Sequence, residues 1–313
     1  MRPYFTVPSK LILFGEHAVV HGYAAIATAL SKRMTMKYSI SNSNETSINL
    51  IDDDLKTIFN PFGSLPTNAT QRDKMLYSAF RSVFPKNTYH IEIKSSGPNT
   101  GGLGSSAGFC TLIAKAASIF SGQNLSKDSL FKEAKRLENF FHFNGSGLDP
   151  AIVIYGGSIK MEKGKIEPIS IPPIDILVVN TGVKHSTAQA VSHVSNLLKQ
   201  NSSLYGLALK KLGNISNSFV STPNNQKKQF LIKNIPIAQD LLAKFDLNCP
   251  ESEDIVKIAE KNNLVAKISG AGMGGIMIVT GDDLLEKKSL FSKYQNFYAT
   301  IGAPGFETHY DIH

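Results

Sequence analysis

A glycine-rich segment in front of an apolar stretch constrains the fold of this chain more than any other feature. The segment reads Gly101-Gly102-Leu103-Gly104-Ser105-Ser106-Ala107, and the apolar stretch behind it predicts a helix over residues 107–120. Glycines without Cβ let backbone N–H groups crowd a phosphate, while the N-terminal N–H groups and dipole of a helix attract an anion. The Gly-Lys-Ser/Thr ending of a P-loop is absent. The segment therefore predicts a nucleotide-phosphate site that is not a P-loop.

The length and composition indicate a two-domain globular protein. With 313 residues, of which 42% are apolar and 19% charged, the chain can bury two cores of ordinary size. No apolar run approaches the roughly 18 residues that cross a bilayer, and the N-terminal residues lack the pattern of a signal peptide. Only Cys110 and Cys249 occur, which excludes a disulfide framework and a cysteine-rich zinc site. We therefore expect a cytoplasmic protein without a membrane partner.

The net charge of +8 has two interpretations. A nucleic-acid binder would gather its lysines on one face and interleave them with aromatic residues. Here the basic residues are scattered, with small groups such as Lys210-Lys211 and Lys287-Lys288 on predicted helix surfaces. This distribution favours a solvated basic surface suited to small anionic ligands, and we expect no nucleic-acid partner.

A cluster of prolines predicts a domain boundary, with one domain over residues 1–170 and another over 171–313. The first domain alternates strands with glycine turns and includes helices predicted over 71–84 and 126–143. The second begins with a strand and has a β-α-β-β-α-β order, with its last helix predicted over 284–294. Together the two patterns predict an α+β protein whose second domain is ferredoxin-like.

Several residues could carry chemistry, and each also has a plainer interpretation. Lys10 begins a predicted strand and could be an ordinary edge-strand lysine. The pair Glu16-His17 could belong to a turn, and Glu138, at the edge of an apolar helix stripe, could pair with basic neighbours in solvent. Asp149 could be the N-cap of a helix that continues with proline. The glycine loop over 270–275 could be a plain hairpin or could lend backbone to a phosphate cleft.

In combination, three motifs resemble those of the GHMP kinase superfamily. They are Pro8-x-Lys10 with Gly15-Glu16-His17-Ala18-Val19-Val20-His21-Gly22, then Gly102-Leu103-Gly104-Ser105-Ser106-Ala107, and Gly270-Ala271-Gly272-x-Gly274-Gly275. Within the superfamily, the first motif is similar to that of the mevalonate kinases, as are the segments 138–149 and 301–305. The resemblance implies an N-terminal ribosomal-protein-S5-domain-2-like unit and a C-terminal ferredoxin-like unit. It also implies that ATP and substrate bind in the cleft between them.

The resemblance implies a role for each matching residue on the phosphoryl-transfer path. The ATP phosphates would be bound by Lys10, Ser95, Thr100, Gly101, Gly102, Leu103, Gly104, Ser105 and Ser106. The cofactor Mg²⁺ would be held by Ser106 and Glu138, since a hard cation prefers oxygen ligands. Asp149 would accept the proton of the attacking alcohol. Lys10 would lower the pKa of that alcohol and neutralise charge on the transferred phosphoryl group.

The same resemblance implies the partners of the chain. ATP would be the co-substrate, and the acceptor would be mevalonate, phosphorylated on its primary C5 hydroxyl to give 5-phosphomevalonate for isoprenoid precursor synthesis. Glu16 and His17, together with Lys10 and Asp149, would orient mevalonate. The family pattern also suggests a homodimer.

Two positions depart from the family pattern. Ser9 stands where the family commonly has glycine before the lysine, and Met273 replaces a glycine of the third motif.

Two other functions stay open beside the one that the resemblance implies. A kinase of the same fold that acts on another small alcohol is the nearest alternative. A catalytically silent ligand sensor is another, although such proteins usually lose a catalytic residue and this chain retains Lys10, Ser106, Glu138 and Asp149.

Overall fold

The computed structural model describes residues 3–40, 46–52, 55–60, 62–65, 67, 69, 71–83, 89–95, 102–140, 147–184 and 186–310. These ranges contain twelve strands. In chain order they are Pro3–Phe14 (β1), Ala25–Ile40 (β2), Ser47–Asp52 (β3), Leu55–Phe59 (β4), Tyr89–Ser95 (β5), Ser158–Glu162 (β6), Lys165–Ile169 (β7), Asp175–Asn180 (β8), Leu264–Ser269 (β9), Ile276–Gly281 (β10), Gln295–Thr300 (β11) and Glu307–Tyr310 (β12).

The same described ranges contain eight α-helices and three short 3-10 helices. The α-helices are Gln71–Val83 (α1), Ser105–Phe120 (α2), Lys127–Glu138 (α3), Leu148–Tyr155 (α4), Thr187–Gln200 (α5), Ser202–Ser221 (α6), Lys227–Ala243 (α7) and Pro250–Lys261 (α8). The 3-10 helices are Ala18–His21, Asn224–Gln226 and Glu286–Phe291. None of the described helices is long and apolar enough to cross a bilayer.

Two predicted helices differ from the structure. The helix predicted over 126–143 ends at Glu138, where the N–H of Phe140 turns back to the carbonyl of Leu137 at 3.1 Å; residues 141–146 lie outside the described ranges. The helix predicted over 284–294 is only a short 3-10 helix. There the side-chain amide of Asn296 donates to the carbonyls of Phe291 and Tyr294, both at 2.9 Å. In an α-helix these carbonyls would instead accept from backbone N–H groups, so the side chain competes with the helix.

A first sheet is built around β1 and β2. Its order is β12-β1-β2-β5-β3-β4, while β6 pairs with the start of β2 and β7 pairs with β6. All described pairings in this sheet are antiparallel except that between β3 and β5. The domain boundary at 170/171 stays a prediction. The strand pairing places β6 and β7, before that point, and β12, after it, in one sheet.

The second sheet has the order β11-β8-β10-β9, and all its described pairings are antiparallel. The chain leaves β8, passes through α5 to α8 and returns as the hairpin of β9 and β10, after which a 3-10 helix leads to β11. This follows the predicted β-α-β-β-α-β order, with several helices in its first crossover and a 3-10 helix in place of the second predicted helix. The predicted α+β class is confirmed.

Strand β1 is held between two apolar cores. Phe5 and Val7 are buried in the core of the first sheet, whereas Leu11 and Leu13 are buried with the apolar residues of the second sheet and its helices. The pairing of β1 with β2 shifts register between Pro8 and Lys10. Because both ends of the strand are fixed by burial, the residue between them, Lys10, has a fixed position.

Candidate active site

The predicted phosphate loop leads directly into α2. Gly104 precedes the helix with φ 76° and no side chain caps it, so the helix begins at Ser105, two residues earlier than predicted. The first N–H groups of a helix have no intrahelical acceptors, and the dipole adds positive potential there. Ser106 lies in this first turn and is half-buried. The loop and the helix together form a site that can bind an anion.

The other predicted phosphate-binding residues divide into two groups. Ser95, the last residue of β5, lines a narrow cavity together with Leu103, Gly104 and Ser105, so the structure brings it to the loop. Thr100 and Gly101 lie outside the described residues.

Lys10 is buried beside the phosphate loop. Its backbone N–H donates to the carbonyl of Leu103 at 2.9 Å, and its side chain passes so close to Gly104 that a Cβ there would lie 2.7 Å from Lys10 Cγ. Its Nζ lies 2.9 Å from Oδ1 of Asp149, and the exposed fractions of the two side chains are 6% and 30%. The interpretation of Lys10 as an exposed edge-strand lysine is therefore wrong.

Asp149 lies in the first turn of α4, and it is not the N-cap of that helix. Gly147 takes the N-cap position with φ 83°, and the helix begins at Leu148. The left-handed cap leaves the carboxylate of Asp149 free of a capping hydrogen bond, so it can reach Lys10. The alternative in which Asp149 serves as a helix cap is wrong.

Glu138 is a buried carboxyl group at the end of α3. It is 5% exposed, and it has no hydrogen bond or ion pair with another described residue. Burial and, to a smaller extent, repulsion by Asp149 raise its pKa to about 8, although the charges of Lys10 and Lys135 oppose this rise. A buried carboxylate without a partner, next to a second carboxylate, has oxygen atoms that suit a hard cation such as Mg²⁺.

Glu16 and His17 lie in the turn that follows the C-terminal end of β1. Glu16 is fully buried and forms an ion pair with Lys267, whose Nζ donates to Oε1, while Oε2 has no partner among the described residues. Nε2 of His17 lies 2.8 Å from the carbonyl oxygen of Ala271, and burial lowers the pKa of His17. A carbonyl can only accept, so the neutral ring carries its proton on Nε2 and leaves Nδ1 as an acceptor.

The second glycine loop, which joins β9 to β10, lies beside the phosphate loop and beside the end of β1. A Cβ on Gly102 would be 3.4 Å from Ile276 Cγ1, so the two glycine loops are neighbours. The hydroxyl of Ser269 accepts from the N–H of Ile12 and donates to its carbonyl, both at 3.0 Å. The loop is a hairpin, as the plainer interpretation had it, and it also borders the phosphate site.

Lys267 was not among the predicted site residues. The structure places its side chain, which is 0% exposed, next to Glu16. A signal was present in the sequence: Lys267 is the single charged residue in the apolar strand 264–268, directly in front of the glycine loop. Strand prediction alone gives no reason to expect that charge to be buried.

The comparisons with known proteins agree in family. The family models for the GHMP kinases N terminal domain and the GHMP kinases C terminal match residues 73–157 and 231–300. The mevalonate kinase of Archaeoglobus fulgidus is 30% identical over 271 residues, which cover 86% of this chain and 89% of that protein. The mouse mevalonate kinase is 24% identical, with 97% of this chain and 94% of that protein covered.

Solved structures show the same fold. The Methanococcus jannaschii mevalonate kinase matches with a TM-score of 0.78 and 25% identity, over 96% of this chain and 98% of that one. The L. major mevalonate kinase, solved in complex with R-mevalonate, matches with a TM-score of 0.80 and 23% identity over 96% of each chain. On these similarities, the chain belongs to the mevalonate kinase family of the GHMP kinases.

Proposed function

We propose that this chain transfers the γ-phosphoryl group of ATP to the primary C5 hydroxyl of mevalonate. The products are 5-phosphomevalonate and ADP, and the reaction belongs to isoprenoid precursor synthesis by the mevalonate pathway. The observation that carries this proposal is the Lys10–Asp149 pair, at 2.9 Å, beside the glycine loop of a mevalonate kinase family member. Phosphoryl transfer needs mainly positioning and charge stabilisation, and these groups supply both.

Lys10 and Asp149 act on the acceptor alcohol. Lys10 occupies Oδ1 of Asp149, so Oδ2 is left to accept the proton of the C5 hydroxyl. The Lys10 ammonium, nearly excluded from solvent, stabilises the negative charge that develops on the alcohol and on the transferred phosphoryl group. The carboxylate is more exposed than the lysine, and the acceptor can reach it from that side.

The glycine loop and α2 act on the nucleotide. The backbone N–H groups of residues 102–106 bind the ATP phosphates, and Ser95, Thr100 and Gly101 complete the loop's contacts. Ser106 and Glu138 would hold Mg²⁺, and the buried carboxyl of Glu138, which has no partner among the described residues, supports this assignment. When bound, Mg²⁺ neutralises charge on the β- and γ-phosphate oxygens.

Glu16 and His17 orient mevalonate. The neutral His17 ring offers Nδ1 as a hydrogen-bond acceptor, and Glu16 offers its unpartnered Oε2. Both groups suit the hydroxyl groups of mevalonate better than its carboxylate, which needs a donor or a cation. They therefore help to present the C5 hydroxyl to Asp149.

We place the enzyme in the cytoplasm and propose that it is a homodimer. The free thiols of Cys110 and Cys249 suit a reducing compartment, and the homodimer is taken from the family resemblance alone. Light scattering of the purified protein tests the homodimer: twice the chain mass of 34.1 kDa supports it, and the chain mass itself contradicts it.

Release of ADP from Mg-ATP tests the proposed function. Mevalonate, phosphomevalonate, homoserine and galactose are offered separately; turnover with mevalonate is expected, and turnover only with another alcohol would refute the substrate. Asp149→Asn should fold normally and lose about 10²–10⁴-fold in turnover. The matched control is Asp240→Asn, an exposed aspartate on α7, which should keep wild-type turnover. Turnover near the wild-type rate in Asp149→Asn would contradict the proposed mechanism.

A further inference from the structure

The buried ion pair between Lys267 and Glu16 is not explained by the roles given so far. Both side chains are 0% exposed, and Nζ of Lys267 also donates to the carbonyl of Ile268 at 2.6 Å. Burying two charges carries a large desolvation penalty, and well-packed apolar residues often give equal or greater stability. Stability alone is therefore a weak reason for this pair.

The pair is one of several contacts that join described residues of the β9 segment to the end of β1 and the turn behind it. Along β9, residues 267 and 269 point to the same face because strand side chains alternate. Lys267 binds Glu16, Ser269 binds the backbone of Ile12, and the carbonyl of Ala271 binds His17. The turn that carries Glu16 and His17 is thus attached to the second sheet at each of its functional residues.

Glu16 lies between two lysines of different function. Burial raises the pKa of Glu16, and Lys267, followed by the more distant Lys10, opposes that rise. Lys10 is itself paired with Asp149. With Lys267 removed, the nearest remaining cation for a buried Glu16 carboxylate is Lys10, and attraction between them would compete with the Lys10–Asp149 pair.

We propose that Lys267 is a positioning residue for the acceptor side of the reaction. It holds Glu16 in place through Oε1, keeps Oε2 free for the acceptor alcohol, and thereby leaves Lys10 to Asp149. Lys267 does not itself touch substrate. This inference rests on the proposed function, because it concerns how mevalonate is oriented.

A double-mutant cycle with Glu16 tests the inference. Lys267→Met should lower kcat/KM for mevalonate by about 100-fold and change the KM for ATP by less than about threefold, since the polar partners of Lys267 among the described residues are Glu16 and the carbonyl of Ile268. In the Glu16→Gln background, the same substitution should change kcat/KM for mevalonate by less than about threefold, because residue 16 then has no negative charge to compete for Lys10.

Lys227→Met is the matched control. Lys227 is a second buried lysine, 2% exposed, which donates to the carbonyls of Phe219 and Val220 at the end of α6. Its substitution should lower the free energy of unfolding and leave the kinetic constants per folded molecule unchanged. A purely structural role of Lys267 would give this same pattern in Lys267→Met and would overturn the inference.

Other outcomes also decide the matter. An equal loss from Lys267→Met in both backgrounds, or a rise in the KM for ATP as large as the fall in kcat/KM for mevalonate, would overturn it. If Lys267→Met does not fold, Glu16→Gln/Lys267→Met is compared with Glu16→Gln alone: constants within about threefold support the inference, and a loss of about tenfold or more contradicts it. Should the wild type phosphorylate a different alcohol, the substrate proposal fails, and the same cycle run with that alcohol still tests Lys267.

Discussion

Substitution of Glu138 by glutamine should make the protein more stable at alkaline pH and inactive. The carboxyl group is buried at the end of α3 without a described partner, and its pKa is raised to about 8 by burial and by Asp149. Glutamine has nearly the shape and polarity of the protonated group, but it cannot become charged. The substitution therefore removes the unfavourable charge and with it the proposed Mg²⁺ ligand.

The expected effect depends on pH. Between pH 4.5 and about 8, the folded protein keeps a proton on Glu138 that the unfolded chain has lost, so the wild type loses stability as the pH rises through this window. Raising the pKa from 4.5 to about 8 corresponds to about 5 kcal/mol at about 1.4 kcal/mol per pKa unit. Relaxation around a buried charge reduces this, and we expect about 2–3 kcal/mol of extra stability in Glu138→Gln above the upper pKa.

Urea unfolding of the wild type and Glu138→Gln, without Mg²⁺ or nucleotide, measures the difference. The two proteins should have equal free energies of unfolding near pH 4.5 and should diverge up to about pH 9. Glu133→Gln is the control, because Glu133 lies on the same helix but pairs with Arg136 at 2.6 Å on the exposed side. A difference between wild type and Glu138→Gln that does not change with pH would refute the reasoning, as would full kinase activity in Glu138→Gln.

Three further predictions concern the first motif and the phosphate loop. Lys10→Met should lower turnover by about 10²–10³-fold in the ADP-release assay, and a wild-type rate would contradict the role given to this cation. Gly104→Ala should lower turnover at least about tenfold, because its Cβ would lie 2.7 Å from Lys10 Cγ. In Gly122→Ala, with a similar φ of 68° and open space around it, we expect only a loss of about 1 kcal/mol in urea unfolding. Gly15→Ala should cost about 3 kcal/mol or more, since its Cβ would lie 2.4 Å from the Ala24 carbonyl oxygen; an unchanged unfolding midpoint would refute this.

Local features of the chain could be predicted from the sequence because their causes are local. The helix behind the phosphate loop was predicted, but with a late start, because Gly104 adopts a left-handed cap that lets Ser105 and Ser106 begin the helix. The order of strands and helices gave the α+β class. The family motifs gave the candidate residues, and the structure places Lys10, Asp149 and the phosphate loop together.

Contacts between distant segments could not be predicted in the same way. Glu16 and Lys267 are 251 residues apart, and nothing in the strand pattern of either segment indicates that their charges are buried against each other. The plainer interpretation of Lys10 failed for a related reason. Burial of a lysine depends on packing of β1 between two cores, which periodicity in a single strand does not show.

The proton-coupled ³¹P NMR spectrum of a reaction of purified protein, Mg-ATP and mevalonate tests the central claim most directly. Phosphate on the primary hydroxyl has two neighbouring protons and gives a triplet, whereas phosphate on the tertiary hydroxyl has none and gives a singlet. We expect a phosphomonoester triplet that grows in step with ADP in the wild type and is absent in Asp149→Asn. A singlet, or ADP accompanied only by inorganic phosphate, would contradict transfer to the C5 hydroxyl.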